Sequence, residues 1–397
     1  MKKVMAMLLT MVLAMTLCAC APAEQFDIID VYRTEEDTSY WSPALQYARL
    51  IELEHSGDRN GWLLATCERL DAGLSKERPG YPILRSTDGG ATWELISEIR
   101  ESAAAIQSEW NPHLYELPEA LGDMPAGTLL CAAISIDAGH GRMTSIRLYR
   151  SFDQGESWEQ YAFVATQNFT DTTAGAYEPF LFLLDDGRLA CYYSDASDPN
   201  HSQKLVLALS EDGVNFDTFQ DIVAVDEWKL RPGMAVPARM NDGRYIMVYE
   251  VCTDGDPNTG NPVYYRFSED GVDWGDPKDL GTKLQTKSGV VPGSAPYVVY
   301  VPEVGENGLL IVTAVFQTPS GKNGPSIFLN DALGAEDQWV EANQPLRYRR
   351  GGYSHGMHVA SDGHTVYFVN TIEDREREDG YSRLVFTKVD LAETQLK

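Results

Sequence analysis

Ser86-Thr87-Asp88-Gly89-Gly90-Ala91-Thr92-Trp93 returns, edited, three times along the chain: as Ser151-Phe152-Asp153-Gln154-Gly155-Glu156-Ser157-Trp158, as Ser210-Glu211-Asp212-Gly213-Val214-Asn215-Phe216, and as Ser268-Glu269-Asp270-Gly271-Val272-Asp273-Trp274. The leading serines are 65, 59 and 58 residues apart (151−86, 210−151, 268−210), and a recurring motif at a near-fixed period marks a repeat architecture. Each copy follows a short apolar run, such as Ile83-Leu84 or Leu205-Val206-Leu207, which places it on a hairpin turn. Ser and Asp can bond backbone amides across such a bend, Gly takes its positive φ, and the closing Trp or Phe plugs the seam between repeats.

Short Tyr-, Val- and Leu-rich runs separated by Gly, Asp and Asn turns read as strands, and no long amphipathic helix interrupts them. Further turn centres fall near His55–Gly61, Gly122–Gly127, Asp185-Asp186-Gly187, Asn241-Asp242-Gly243, Glu303–Gly308 and Ser361-Asp362-Gly363. Each divides a first strand from a second, and a third strand leads into the serine motif where it survives. In the fifth unit the motif has decayed to Asn330-Asp331 with Trp339 displaced, and the sixth lacks it. Four strands in each of six units predict an all-β fold, a six-bladed β-propeller. The run Phe26 to Arg33 is expected to complete the last blade and remove the exposed edge. No linker-like tract breaks residues 26–397, so they are expected to form one domain.

Ahead of the propeller, Lys2-Lys3 and the apolar run Val4 to Leu17 have the form of an export signal. That segment ends Leu17-Cys18-Ala19-Cys20 and resembles a bacterial lipobox, which implies lipidation of Cys20, a linker of only residues 21–25, and a cell-surface or periplasmic lipoprotein. Loss of residues 1–20 removes two lysines and no acid, taking the net charge from −27 to −29. Such a charge disfavours nucleic acid and other polyanions. The chain is expected to be a monomer that meets the membrane only through its lipid. Cys67, Cys131, Cys191 and Cys252 recur at spacings of 64, 60 and 61, which favours four buried thiols on equivalent strands over a disulfide framework. No Cys-x-x-Cys pair is present, so neither zinc nor another cofactor is expected.

Strand direction sorts the remaining polar residues. Starts of first strands and ends of second strands share one face of the disc, opposite the serine turns. That face collects Arg49, His113, Glu178, Arg231, Ser294 and His355 from first strands, and Glu68, Asp137, Asp195 and Glu250 from second strands. Glu178 and Glu250 lie on neighbouring blades at this mouth. Two carboxyls across a pocket are the minimal equipment of a glycosidase, one as proton donor and one as nucleophile or base. Arg49, Glu68, His113, Arg231 and His355 are candidates to bind sugar hydroxyls. Tyr177, Tyr249 and Tyr353 are candidates to stack on a ring or to donate to Glu250. His355 and His358, three apart on a strand, point to opposite faces and do not form a metal pair.

Two resemblances sharpen this. The Ser-x-Asp-x-Gly-x-Thr-Trp turns resemble the Asp boxes of sialidase-like propellers, whose role there is structural. The segments Tyr177-Glu178-Pro179-Phe180-Leu181, Arg231-Pro232-Gly233-Met234 and Tyr245-Ile246-Met247-Val248-Tyr249-Glu250, with Tyr47-Ala48-Arg49-Leu50 and Leu63-Leu64-Ala65-Thr66-Cys67-Glu68, resemble family 93 glycoside hydrolases over much of residues 40–275. That family consists of retaining, metal-independent exo-α-1,5-L-arabinanases that release arabinobiose. The resemblance implies Glu178 as acid/base, Glu250 as nucleophile and arabinan as substrate. Two alternatives stay open: an exo-sialidase, in which Arg49, Arg231 and Arg349 or Arg350 would form an arginine cluster, and a non-catalytic glycan-binding propeller.

Overall fold

The structure, a computed structural model, describes residues 26–33, 44–69, 80–100, 106–137, 143–168, 175–253, 260–318, 322–323, 326–346, 351–373, 382–394 and 396. The expected signal segment with Cys20, the linker 21–25, Arg349 and Arg350 lie outside these residues.

Six four-stranded antiparallel sheets form six blades. Blade one is Leu45–Glu52, Leu63–Arg69, Tyr81–Ser86 and Glu94–Ile99, and blade two is Ile106–Glu116, Leu129–Asp137, Met143–Ser151 and Glu159–Asn168. Blade three is Ala176–Leu183, Leu189–Asp195, Lys204–Ser210 and Thr218–Val223; blade four is Leu230–Arg239, Tyr245–Thr253, Val263–Ser268 and Thr282–Lys283. Blade five holds Tyr297–Val301, Leu309–Thr313, Ser326–Asn330 and Val340–Asn343. Blade six holds Gly356–Val359, Thr365–Glu373 and Ser382–Asp390, with Ile29–Arg33 as its fourth strand. The first strand of each blade touches that of the next, and blade six returns to blade one. The ring is therefore closed by chain segments from opposite ends of the sequence, with Arg383 and Asp30 paired at 2.6 Å across the join.

The four serine turns close through a common set of bonds. In the first, the Ser86 hydroxyl donates to Asp88 at 2.8 Å and accepts the Gly90 N–H at 2.9 Å, while Asp88 accepts both the Thr92 N–H and its hydroxyl. The Trp93 indole N–H caps Gly90 O at 3.1 Å, and its ring meets Phe386 of blade six edge-on. In blade five Asn330 does the work of the serine: its amide oxygen accepts the Ala332 and Gly334 N–H groups, each at 2.9 Å. Trp339, though displaced in sequence, is fully buried. A three-stranded sheet of Val291–Gly293, Phe316–Thr318 and Lys322–Asn323 accompanies blade five, an addition that the repeat pattern does not announce.

The four cysteines are free thiols on second strands, but their positions within those strands differ. Cys67, Cys131 and Cys191 are buried; Cys252 is partly exposed, contrary to the expectation of four buried thiols.

Candidate active site

The polar rim is built on strained backbone. At the head of each first strand a non-glycine residue adopts a left-handed conformation, and in blade five two do: Tyr47 (φ 49°), Asn111 (52°), Glu178 (61°), Met234 (60°), Ser294 (65°) with Ala295 (47°), and Ser354 (63°). In blades one to four this residue sits in a β-bulge, where the register slips between Gln46 and Arg49, Trp110 and His113, Tyr177 and Phe180, and Gly233 and Val236. Such conformations cost roughly 1–3 kcal/mol each and persist only when the surroundings hold them. Five of these residues are held by the preceding blade. The Tyr47 N–H donates to the Tyr353 carbonyl and the Ser294 N–H to the Asn261 carbonyl, each at 2.9 Å. The Asn111 N–H donates to Glu68 Oε2 at 3.1 Å, the Met234 N–H to Ser194 Oγ and Glu178 Oε2 at 3.1 Å, and the Ala295 N–H to Glu250 Oε2 at 2.7 Å. Glu68, Ser194 and Glu250 occupy the same second-strand position in their blades, opposite Gln46, Tyr177 and Gly233. Glu178 instead sits on a bulge, so the two central carboxyls reach the mouth from different places in the blade.

Glu178 accepts the Ser194 hydroxyl at 2.6 Å on Oε2 and the Tyr47 hydroxyl at 3.3 Å on Oε1. Glu250 accepts the Tyr353 hydroxyl at 3.2 and 3.3 Å and the Cys252 thiol at 3.3 Å. The rings of Tyr47 and Tyr353 lie 5.8 Å apart, so the carboxyls are joined through a tyrosine pair. Among the described residues neither carboxylate has a basic side chain at ion-pairing distance. Burial and then the Glu250 charge raise Glu178 to about 7, despite opposing bonds from Ser194, Met234 and Tyr47. Burial also raises Glu250, against the bonds from Ala295, Cys252, Tyr353 and Ser294. Near neutral pH this arrangement can keep Glu178 protonated beside a second carboxyl whose ionised form is favoured by its donors and opposed by its burial, the pairing that acid-assisted glycosyl transfer uses.

The other candidates divide. Tyr353 stands where expected, on Glu250, with the Ser294 hydroxyl donating to it at 3.3 Å. Glu68 is buried at the same rim and raised to about 8 by burial. Arg231 is half-buried and donates to Gln203 at 3.0 Å. Tyr177 is half-buried. Arg49 does not bind a carboxylate: it is buried between the rings of Tyr47 and Tyr297, 5.4 and 5.2 Å away, and donates to Ser354 Oγ and Ala48 O. It forms the floor under the tyrosine pair. His113 is also structural, accepting the Leu181 N–H at 3.2 Å and lying on Phe180. His355 is buried, and burial with the Arg49 charge pushes it down to about 4, leaving it neutral. Tyr249 corrects the expectation outright. Being adjacent to Glu250 on a strand, it points the other way and donates to Leu280 O at 2.5 Å, fully buried. Asp195 fails by the same parity and closes a local turn with Ser197; its neighbour Ser194 is the one that meets Glu178. Tyr47, Ser194, Cys252 and the Ala295 N–H were not anticipated.

Below the floor a cavity of about 380 Å³ follows the central channel, lined by Arg49, His113, Phe180, Tyr297 and His358 among others. It excludes Glu178 and Glu250. At its far end Glu52 is taken by Ser361, and Glu116 by Glu54 N–H, His55 N–H and Ser56, whereas Glu178 and Glu250 stand together at the opposite mouth.

Comparison with solved structures shows the family of the chain. The α-L-arabinofuranosidase of Fusarium graminearum, a family 93 glycoside hydrolase solved with arabinobiose, is 30% identical, with 93% of this chain and 99% of that one aligned at a TM-score of 0.76. The chain belongs to glycoside hydrolase family 93. A Penicillium chrysogenum α-L-arabinanase, also complexed with arabinobiose, matches this family 93 chain at 30% identity over 93% of it and 99% of the other, with a TM-score of 0.77. The NanB sialidase of Streptococcus pneumoniae, at 12% identity, 91% and 70% coverage and a TM-score of 0.54, shares the propeller fold. No family model matches the chain, and no curated protein matches it by sequence. The protein is a glycoside hydrolase of sialidase-like, six-bladed form.

Proposed function

We propose that this glycoside hydrolase is a retaining exo-α-1,5-L-arabinanase in which Glu178 is the acid/base and Glu250 the nucleophile. The observation that carries the proposal is the tyrosine-bridged pair of carboxyls at one mouth, Glu178 half-buried and raised to about 7 and Glu250 buried and held by three kinds of donor. The likeness to an arabinanase complexed with arabinobiose supports the choice of sugar. In the first step Glu250 attacks the anomeric carbon as Glu178 gives its proton to the departing oxygen, leaving a glycosyl ester on Glu250. Glu178, now ionised, takes a proton from water, which attacks the same carbon and releases Glu250. Tyr353 donates to both Glu250 oxygens and Ser194 to Glu178, so each carboxyl is oriented before substrate arrives. Arg231 and Glu68 are the rim groups assigned to sugar hydroxyls. The proposal also includes export and lipid attachment at Cys20, which mass spectrometry of the mature N-terminus would test.

Incubation with linear α-1,5-arabinan is expected to release arabinobiose, with the product anomer matching the substrate linkage by proton NMR at early times. The exo-sialidase alternative has one observation in its favour, a tyrosine backed by a glutamate in Tyr353–Glu250. Against it, Arg49 is committed to Ser354 and Ala48. Sialic acid release from a fluorogenic sialoside, with arabinan untouched, would replace the arabinanase reading.

A further inference from the structure

Cys252 differs from the other three thiols. Cys67, Cys131 and Cys191 are each packed in an apolar cluster between blades. Cys252 is partly exposed and lies two residues beyond Glu250 on Tyr245–Thr253, hence on the same side of the strand. Its sulfur donates to Glu250 Oε1 at 3.3 Å, the oxygen that the Ala295 N–H leaves open by bonding to Oε2. Burial, and next the Glu250 charge, push the thiol far above its ordinary range. It therefore stays protonated as a permanent donor, and is a poor target for alkylation or oxidation.

We infer that Cys252 is a positioning residue, whose thiol hydrogen bond fixes the Oε1 edge of Glu250 and favours its ionised form. The inference rests on Glu250 acting as the nucleophile. The groups facing Glu250 from every side are the Tyr353 hydroxyl of blade six, the Ala295 N–H and Ser294 hydroxyl of blade five, and Glu178 of blade three. Tyr47 of blade one and Arg231, beside Cys252 on blade four, complete the set. Of these, Cys252 is the side-chain donor supplied by Glu250's own strand, so it moves with the carboxylate and requires no contact between blades.

The sign follows from the bond. A donor to the carboxylate lowers the pH at which Glu250 ionises, and its loss raises that pH. The test is the pH profile of kcat/KM on linear arabinan for the wild type, Cys252→Ala and Cys252→Ser. In Cys252→Ala the acid limb is expected to move up by about 0.5 pH units, a loss of about threefold on the acid side, while the alkaline limb set by Glu178 stays in place. Cys252→Ser, which keeps a donor, is expected to restore the acid limb. An unmoved acid limb in Cys252→Ala would overturn the inference. Inactivity of the wild type on arabinan would instead overturn the function on which it rests. Should the variants fold poorly, the infrared S–H stretch of the wild type decides: one thiol band is expected at lower frequency, shifting in Glu250→Gln, and thiol bands all indifferent to that substitution would refute the bond.

Discussion

Glu178→Gln is expected to make the protein more stable as it makes it inactive, and only on one side of neutrality. Glu178 ordinarily ionises near 4.5, and in the folded protein near 7. Between those values the unfolded chain gives up a proton that the native state keeps, so stability falls as pH rises through that window. At about 1.4 kcal/mol per pH unit, the ionised form costs the folded state about 3 kcal/mol above pH 7. Glutamine cannot ionise. It still offers one oxygen to Ser194 and Met234 where Glu178 Oε2 now accepts them, and its amide can donate to Tyr47. Relative to the wild type, the variant is therefore expected to gain about 3 kcal/mol at pH 8 and little at pH 4. With unfolding entropy of roughly 2 cal/mol/K per residue, that is about 4 °C in Tm for a chain of this size. Scanning calorimetry at the two pH values, alongside turnover on arabinan, makes the measurement. A variant equally stabilised at both, or destabilised at pH 8, would refute the assignment of a strained, proton-holding carboxyl at this position.

Ser194→Ala removes the 2.6 Å donor to Glu178 and is expected to lift the alkaline limb of kcat/KM by about one pH unit; a fall in that limb would contradict the proposed acid role. Gly122→Ala would place a Cβ 2.5 Å from the Asp212 carbonyl oxygen at φ +59°, on the seam between blades two and three, and should cost about 2 kcal/mol or more by chemical denaturation. Trp339→Ala empties the fully buried plug of blade five, which packs on Tyr265 at 5.8 Å. A loss of about 3–5 kcal/mol is expected, and a loss under about 1 kcal/mol would argue that the displaced tryptophan is not the surrogate for the missing motif.

The architecture was legible because a Ser, an Asp, a Gly and an aromatic recur with a constant job: the hydroxyl and carboxylate of Ser86 and Asp88 spend themselves on nearby backbone and turn residues. Blade five kept that job with different atoms, through Asn330, which spelling alone underrates. At the rim, legibility broke down for a different reason. Strand parity tells which of two neighbours faces the mouth, and each bulge inserts a residue that resets the count. Strand order alone puts Glu178 and Glu250 at one mouth. Tyr249 and Asp195 were chosen on the wrong parity, one position from Glu250 and Ser194. Nothing in Tyr47-Ala48-Arg49 announces a left-handed tyrosine, and nothing there tells an arginine open to sugar hydroxyls from one packed between the rings of Tyr47 and Tyr297. The added sheet of Val291–Gly293, Phe316–Thr318 and Lys322–Asn323 breaks the period, and no periodic pattern can predict it.

The sheet that carries Ile29–Arg33 beside Ser382–Asp390 also dictates a timetable. A ribosome delivers the N-terminal partner first and must add more than three hundred residues before its mate exists. Until then blades one to five can only form an open arc, whose two end blades show uncovered faces and whose waiting strand Ile29–Arg33 offers unpaired backbone to any passing strand. Loss of either terminal segment would leave the nascent arc permanently exposed, so a deletion far from the mouth should be read out as precipitation before it is read out as lost turnover.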